Sequence, residues 1–452
     1  MKPELSLFRR APLMLALAVS SAVSLTGALT LAPAAPPSAQ AQGDEILRSG
    51  DYKEGYESAD YKTRSRSLES RKGRETDLYA LSRKPPAGLP PVPDAHANPL
   101  SRKGIALGRR LFFDRRLSLN NTISCAMCHV PEMGFAHNEL KTAVGFEGRG
   151  TRRNTPTLLN VAYRVPLFHD GRETSLENQV WSPLLARNEM ANPSIGAVIQ
   201  KINQIKEYRG LFQQVFDGRG PSMETIGMAL AQYQRTLLSA NSRFDRWYYG
   251  GEKDLLTPEE RKGFGIFTGE GRCSSCHLIG DKHALFTDNQ LHNTGMGFSA
   301  SMGKRQPTRR VQLAPGIFAD LESEAIERVT RAPARFNDVG RYEVTQDPDD
   351  RWKFITPTLR NVALTAPYMH NGELLTLEEV IEFYDKGGVP NKLLSPLIQP
   401  LKLPDSGKKA LIAFLRTLTG GNTAELVSDA FAAPVGELSR DDPFWANRRF
   451  RE

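Results

Sequence analysis

Cysteine is nearly absent from this chain. Its 452 residues hold four, all inside two short stretches, Cys125-Ala126-Met127-Cys128-His129 and Cys273-Ser274-Ser275-Cys276-His277. No cysteine is left to staple a loop elsewhere. Long apolar runs are missing after residue 41, which excludes a membrane span in the mature chain. Charge of one sign is not concentrated either. The net +8 is spread thinly, with no interleaving of basic and aromatic residues, so nucleic acid is excluded as a partner. Alternating strand patterns are sparse.

What is present is a pattern that occurs twice. C-x-x-C-H is the attachment signal for c-type haem. Two thiols three positions apart can form thioether bonds to the haem vinyl groups, and the following histidine is held under the iron as its proximal ligand. A zinc ribbon or disulfide pairs could be drawn from the same cysteines. Two motifs that use up every cysteine favour two covalently bound c-type haems, attached through Cys125, Cys128 and Cys273, Cys276, with His129 and His277 on the irons.

The N-terminus reads as an export signal. Lys2, Arg9 and Arg10 precede the mostly apolar stretch Pro12–Leu31, and Ala39-Gln40-Ala41 is a small-x-small cleavage site. Residues 1–41 are thus a signal peptide and the mature protein is periplasmic, in keeping with haem attachment outside the cytoplasm. Residues 42–98 read as a mobile polar extension plus a stiff Pro-rich linker, Pro85–Pro93. Ordered structure is expected from Pro99. Residues 99–250 form a first haem domain and 251–425 a second. The second carries an insertion, 296–350, with a short helix near Asp320–Arg331, and 426–452 is a tail. Helices are expected over Ile195–Phe216 and Met223–Trp247. Thr257-Pro258-Glu259-Glu260 starts another with a capping box.

The halves share more than the haem motifs. Residues 155–177, TPTLLNVAYRVPLFHDGRETSLE, match residues 356–378, TPTLRNVALTAPYMHNGELLTLE, at 12 of 23 positions and a constant offset of 201. The fold class expected is mainly α, two cytochrome c-like domains related by internal duplication, with little strand. The same register separates the two irons. Leu377, Val380 or Ile381, and Tyr384 share a helix face. Tyr384 can ligate iron as a phenolate, whereas its counterpart Pro183 cannot. The His129 haem therefore keeps an open face, which an oxidant-activating haem needs. Gln179 and Glu189 could serve that face, the carboxylate moving a proton between peroxide oxygens. Glu189 could equally be an ordinary surface residue, and Tyr384 a core tyrosine.

At these residues the chain resembles the bacterial di-haem cytochrome c peroxidase and MauG superfamily. The resemblance covers roughly residues 99–420 and rests on both C-x-x-C-H sites, RNTPT at 153–157, HDGR at 169–172, Gln179, Glu189, TPTLRN at 356–361 and APYMHNG at 366–372. It implies two helical haem domains, reaction with hydrogen peroxide, and one calcium ion held by Asn154 and the carbonyls of Thr365 and Pro367. It places Gln179, Pro183 and Glu189 in the distal pocket of the first haem. Family peroxidases have Met opposite the second histidine and often a removable His on the first haem. Here Tyr384 and Phe146 fall on those positions, the pattern of MauG-like members. One departure stands between the haems, where His169 replaces the usual Trp of WDGR. Histidine is harder to oxidise, so His169 is an inter-haem bridge through hydrogen bonds or a packed structural residue.

Three functions follow. One is a MauG-like enzyme that uses peroxide to reach a high-valent haem state and oxidises a residue on a partner protein. Another is a peroxidase reducing peroxide to water with electrons from a small cytochrome or cupredoxin. The last is a di-haem electron carrier without catalysis.

Overall fold

Two helix pairs, each crossing at a glycine, form the centres of the molecule. A computed structural model describes residues 73–302, 307–314, 317–330 and 337–433. In chain order the helices that matter are α1 (Leu78–Arg83), α2 (Arg102–Phe113), α3 (Leu176–Gln179), α4 (Trp181–Leu185), α5 (Ile195–Gln204), α6 (Met223–Arg235), α7 (Arg243–Tyr248), α8 (Pro258–Thr268), α9 (Ser323–Thr330), α10 (Leu377–Asp385), α11 (Asp405–Arg416) and α12 (Thr423–Phe431). Helix α2 crosses α6 where a Cβ on Gly108 would lie 1.9 Å from the Ala229 carbonyl oxygen. Helix α8 crosses α11 where a Cβ on Gly263 would lie 2.0 Å from the Ala410 carbonyl oxygen. Leu111, Phe112, Ile226, Leu230 and Tyr233 fill the first core, and Ile266, Phe267, Leu411, Phe414 and Leu415 the second.

The chain is mainly helical, as expected, and its strands are short. Leu291–His292 (β1) pairs antiparallel with Phe354–Ile355 (β4), and Thr308–Ala314 (β2) with Ile317–Glu322 (β3). The hairpin corrects the reading of the insertion. The helix expected near Asp320 begins only at Ser323, because residues 317–322 are committed to strand pairing.

Other expectations also change. The helical run 195–216 is interrupted after Gln204 and restarts at Leu211, preceded by Gly210 at φ +75°. The run 223–247 breaks after Arg235, where the chain crosses between the cores. Asn160 holds that crossing with both ends of its amide: Nδ2 donates to the Ser239 carbonyl and Oδ1 accepts from the Ser239 N–H. Asn361, at the same offset of 201, accepts from Gly420 N–H and Ser239 Oγ. Order begins before Pro99. Leu78 is buried, and Glu75 and Asp77 pair with Arg109 and Arg102, so the charges of this segment are neutralised by the body of the protein. The Pro-rich segment is a strap rather than a free linker. Its Gly88 carbonyl accepts from Arg360 and from Ala284 N–H, and its Pro90 carbonyl from the Tyr163 hydroxyl. Helix α12 runs across the boundary expected at 425, and its Leu426 and Ala430 join the first core, while Phe244 belongs to the second. The expected signal peptide, 1–41, and residues 434–452 lie outside the described residues.

Overpacking either crossing is expected to destabilise the protein. Gly108→Ala and Gly263→Ala should each cost roughly 1–3 kcal/mol, read as an earlier denaturant midpoint. Gly265→Ala, on the same helix as Gly263 but with open space around it, should be neutral or stabilising by about 0.5–1 kcal/mol.

Candidate functional site

Both C-x-x-C-H stretches close the same tight turn. The N–H of His129 donates to the Cys125 carbonyl at 2.9 Å, and that of His277 to the Cys273 carbonyl at 2.9 Å. Each imidazole then meets a backbone carbonyl through Nδ1, His129 with Phe135 at 3.1 Å and His277 with Phe286 at 2.8 Å. A carbonyl only accepts, so Nδ1 carries the proton and Nε2 is left free to bind a metal. Burial pushes the His129 imidazole down to about 4, against the pull of the Phe135 and Pro156 carbonyls. It lowers His277 as well, against Phe286. Both rings are neutral, the form that ligates iron.

A wide-mouthed cavity lies beside His277. Cys273, Cys276, His277 and Tyr384 all line it, with an apolar wall that includes Leu377 and Ile381. Burial raises the Tyr384 phenol, and the Cys276 and Cys273 thiols raise it further. Such a phenol does not ionise unaided; a ferric ion would supply the missing positive charge. Two thiols, an imidazole with its Nε2 free, an apolar wall and a phenol across the cavity fit a c-type haem.

The first motif has a different surround. As free thiols, Cys125 and Cys128 are raised to about 12, chiefly by burial and also by the Glu189 carboxylate, which therefore faces them. Burial raises Glu189 itself, and Arg172 opposes that shift. Glu189 is half-buried rather than a surface residue. Its carbonyl accepts from the Phe146 N–H at 2.9 Å, and the Met190 N–H donates to the Pro183 carbonyl at 3.1 Å. Phe146, Pro183 and Glu189 are thus brought together. The 145–150 loop can lie this close because Gly145 has no side chain; a Cβ there would sit 2.3 Å from the Asn188 carbonyl oxygen. Gln179 ends α3, half-buried, and makes no hydrogen bond to Glu189.

Between the halves, the backbone of one residue joins two histidines. His169 Nε2 donates to the Asn154 carbonyl at 2.9 Å, and the Asn154 N–H donates to the His370 carbonyl at 2.8 Å. Burial takes both imidazoles down to about 3 and leaves them neutral. Asn154, Thr365 and Pro367 line the same cavity. Asn154 spends its amide nitrogen on the Lys141 carbonyl, which leaves its amide oxygen as a donor for a hard cation.

Residues that sequence reasoning passed over complete this junction. Phe354 stacks on His370 with centroids 3.6 Å apart, and Arg153 lies 5.4 Å from the Phe354 centroid. Arg153 is held between Asp170 at 2.6 Å and Asp338 at 2.7 Å. An arginine inside RNTPT, directly before a candidate ligand, was the available signal. Asp338, in the insertion, carried none.

The family described as di-haem cytochrome c peroxidase matches residues 102–254. Cytochrome-c peroxidase IdrP1 of Pseudomonas sp. (strain SCT) is 36% identical over 338 residues, 74% of this chain and 86% of the relative. Methylamine utilization protein MauG of Methylorubrum extorquens is 34% identical over 348 residues, 76% of this chain and 86% of the relative. The solved structure of a MauG-like protein associated with microbial copper homeostasis superposes with a TM-score of 0.63 at 31% identity, covering 78% of this chain and 98% of that one.

The junction makes a pH prediction. Burial alone would raise the Asp338 carboxyl, but the hydrogen bonds and charge of Arg153 outweigh it and bring it from 3.8 to about 2. A depressed folded pKa gives stability that is present above about 3.8 and is lost as pH falls through about 2. Denaturant titrations between pH 5 and 2 should show that loss, and Asp338→Asn should remove this contribution to the slope.

Proposed function

Because the chain belongs to the di-haem cytochrome c peroxidase and MauG family, a family of haem-dependent oxidoreductases, we propose that it is a MauG-like member. It takes hydrogen peroxide at the His129 side and withdraws electrons from a residue on a partner protein. The observation that carries this reading is Tyr384, half-buried, which lines the same cavity as Cys273, Cys276 and His277.

Each c-type haem, when bound, supplies an iron able to take and give electrons. The rest is the work of this chain. His129 and His277 offer neutral Nε2 atoms to the two irons. Tyr384 would offer its phenol oxygen to the second metal, and as a phenolate would favour its oxidised form. Pro183 and Phe146 have no side-chain ligand atom to offer the first metal, which would leave it a position for peroxide. Glu189, whose carboxyl burial raises, would accept a proton from one peroxide oxygen and return it to the other. Gln179 orients the peroxide. Asn154, with the carbonyls of Thr365 and Pro367, holds a calcium ion that keeps the halves in register. His169 bridges the halves through the Asn154 backbone.

No helix among the described residues is long and apolar enough to cross a membrane. The leader with its Ala39-Gln40-Ala41 site makes the working compartment the periplasm. The 36% identity to IdrP1 favours a second reading, a peroxidase that draws electrons from a small cytochrome or cupredoxin.

Stoichiometric peroxide added to the diferric protein separates the two. The MauG-like reading expects a haem spectral change that persists until a protein partner is added. Rapid steady turnover with a reduced cytochrome would sink it. Tyr384→Met should change the haem spectrum, and an unchanged spectrum means Tyr384 is not a ligand. Glu189→Gln should slow the reaction with peroxide by about 10²- to 10⁴-fold.

A further inference from the structure

The geometry points to a second surface for chemistry on the His277 side: Trp247, Tyr248 and Tyr249 form a site where oxidising equivalents leave the protein for an aromatic side chain on a partner. From His277 to solvent the path is packed throughout. His277 donates to the Phe286 carbonyl at 2.8 Å. The Phe286 ring lies 5.2 Å from Phe244, and Phe244 stacks on Tyr248 at 5.2 Å and 16°. Trp247 is 5.8 Å and Tyr249 5.0 Å from Tyr248. Phe244 and Phe286 are fully buried, whereas Tyr248 is 43% exposed.

Electron transfer weakens steeply with distance and with gaps in packing. Tyrosine and tryptophan give up an electron far more readily than phenylalanine. The two buried phenylalanines thus serve as filled medium, and the Trp-Tyr-Tyr cluster is where a vacancy comes to rest. A surface phenol in ring contact with a partner can then accept an electron from it. Among the described residues, the ring contacts from His129 reach no exposed tyrosine or tryptophan. There Phe112 lies 6.4 Å from the His129 ring and leads to Tyr233 at 5.3 Å, which is fully buried. This inference rests on the MauG-like reading, with peroxide as the oxidant and a protein residue as the electron donor.

Without a partner, a second copy of the chain can act as the donor. Hydrogen peroxide takes two electrons and two protons, its O–O bond breaks, and two waters form. Tyr248 of each of two chains gives one electron and one proton, and a carbon–carbon bond joins their rings. The test adds one equivalent of hydrogen peroxide to the diferric holoprotein with no reductant. Peptide mass spectrometry and dityrosine fluorescence locate any cross-link, and the haem spectrum is recorded in parallel. A cross-link at Tyr248, lost in Tyr248→Phe, is the expected result. Cross-links at Tyr79 or Tyr342 instead, or the same yield from Tyr248→Phe, would overturn the site alone. A haem spectrum that ignores peroxide would overturn the peroxide reading together with it.

Discussion

Each haem motif depends on one backbone carbonyl aimed at an imidazole Nδ1. That carbonyl sets which ring nitrogen is free, and burial of the ring keeps it neutral. Aiming it is costly. Phe135 and Phe286 both stand in the left-handed region, at φ +53° and +52°, where a non-glycine residue gives up roughly 1–2 kcal/mol. Both rings are fully buried in their cores, and that burial offsets the strain. The repeated TPT segments add a second hold. The Thr157 hydroxyl donates to the Gly134 carbonyl at 2.6 Å, and the Thr358 hydroxyl to the Leu285 carbonyl at 2.7 Å. Each bond pins the residue just before the phenylalanine. The repeated segment is thus the clamp of the proximal loop.

On that common frame the two sides are set apart by single residues. Position 159 is Leu in the first core, whereas its partner 360 is Arg. Arg360 is fully buried, paired with Asp245 at 2.8 Å, and donates to the carbonyls of Ala284 and Gly88. Breaking one partner of such a pair leaves an uncompensated charge, a cost of about 3–5 kcal/mol. The strap, α7 and the loop before Phe286 are therefore tied to one ion pair on the second side only. The hydrogen bond on His277 is also the shorter of the two. The second motif, on the side of Tyr384, is thus tied by more buried hydrogen bonds than the first.

Much of this was legible in the chain because it is local. The haem motifs, the cap at Thr257, and the shared register of 155–177 and 356–378 are contiguous signals. Leu377, Ile381 and Tyr384 do line one cavity, since helical spacing alone fixes a face. The missed features are long-range. Residues 73–93 look like a solvated extension because their charges and prolines are typical of one. Only the fold brings Arg109, Arg102 and Arg360 to meet them. The break after Arg235 is invisible in periodicity, because Asn160 and Asn361, far away in sequence, are what hold it. Asp338 sits in a charged insertion that reads as exterior, yet its carboxylate is buried against Arg153.

That last pairing explains why a histidine can stand between the halves. His169 and His370 are both neutral and lie among Arg153, Arg164 and Arg152, whose charge would otherwise press on the cavity. Asp170 and Asp338 take up Arg153 from either side, one from the HDGR turn and one from the insertion. A neutral imidazole here is a poor place to leave an electron vacancy, unlike an indole. It is a good place for a fixed hydrogen bond, because burial denies it a second protonation state. The Asn154 backbone then couples the two histidines through bonds whose donors and acceptors cannot exchange roles. The junction is built to hold geometry, and the cluster of Trp247, Tyr248 and Tyr249 lies elsewhere, packed on Phe244.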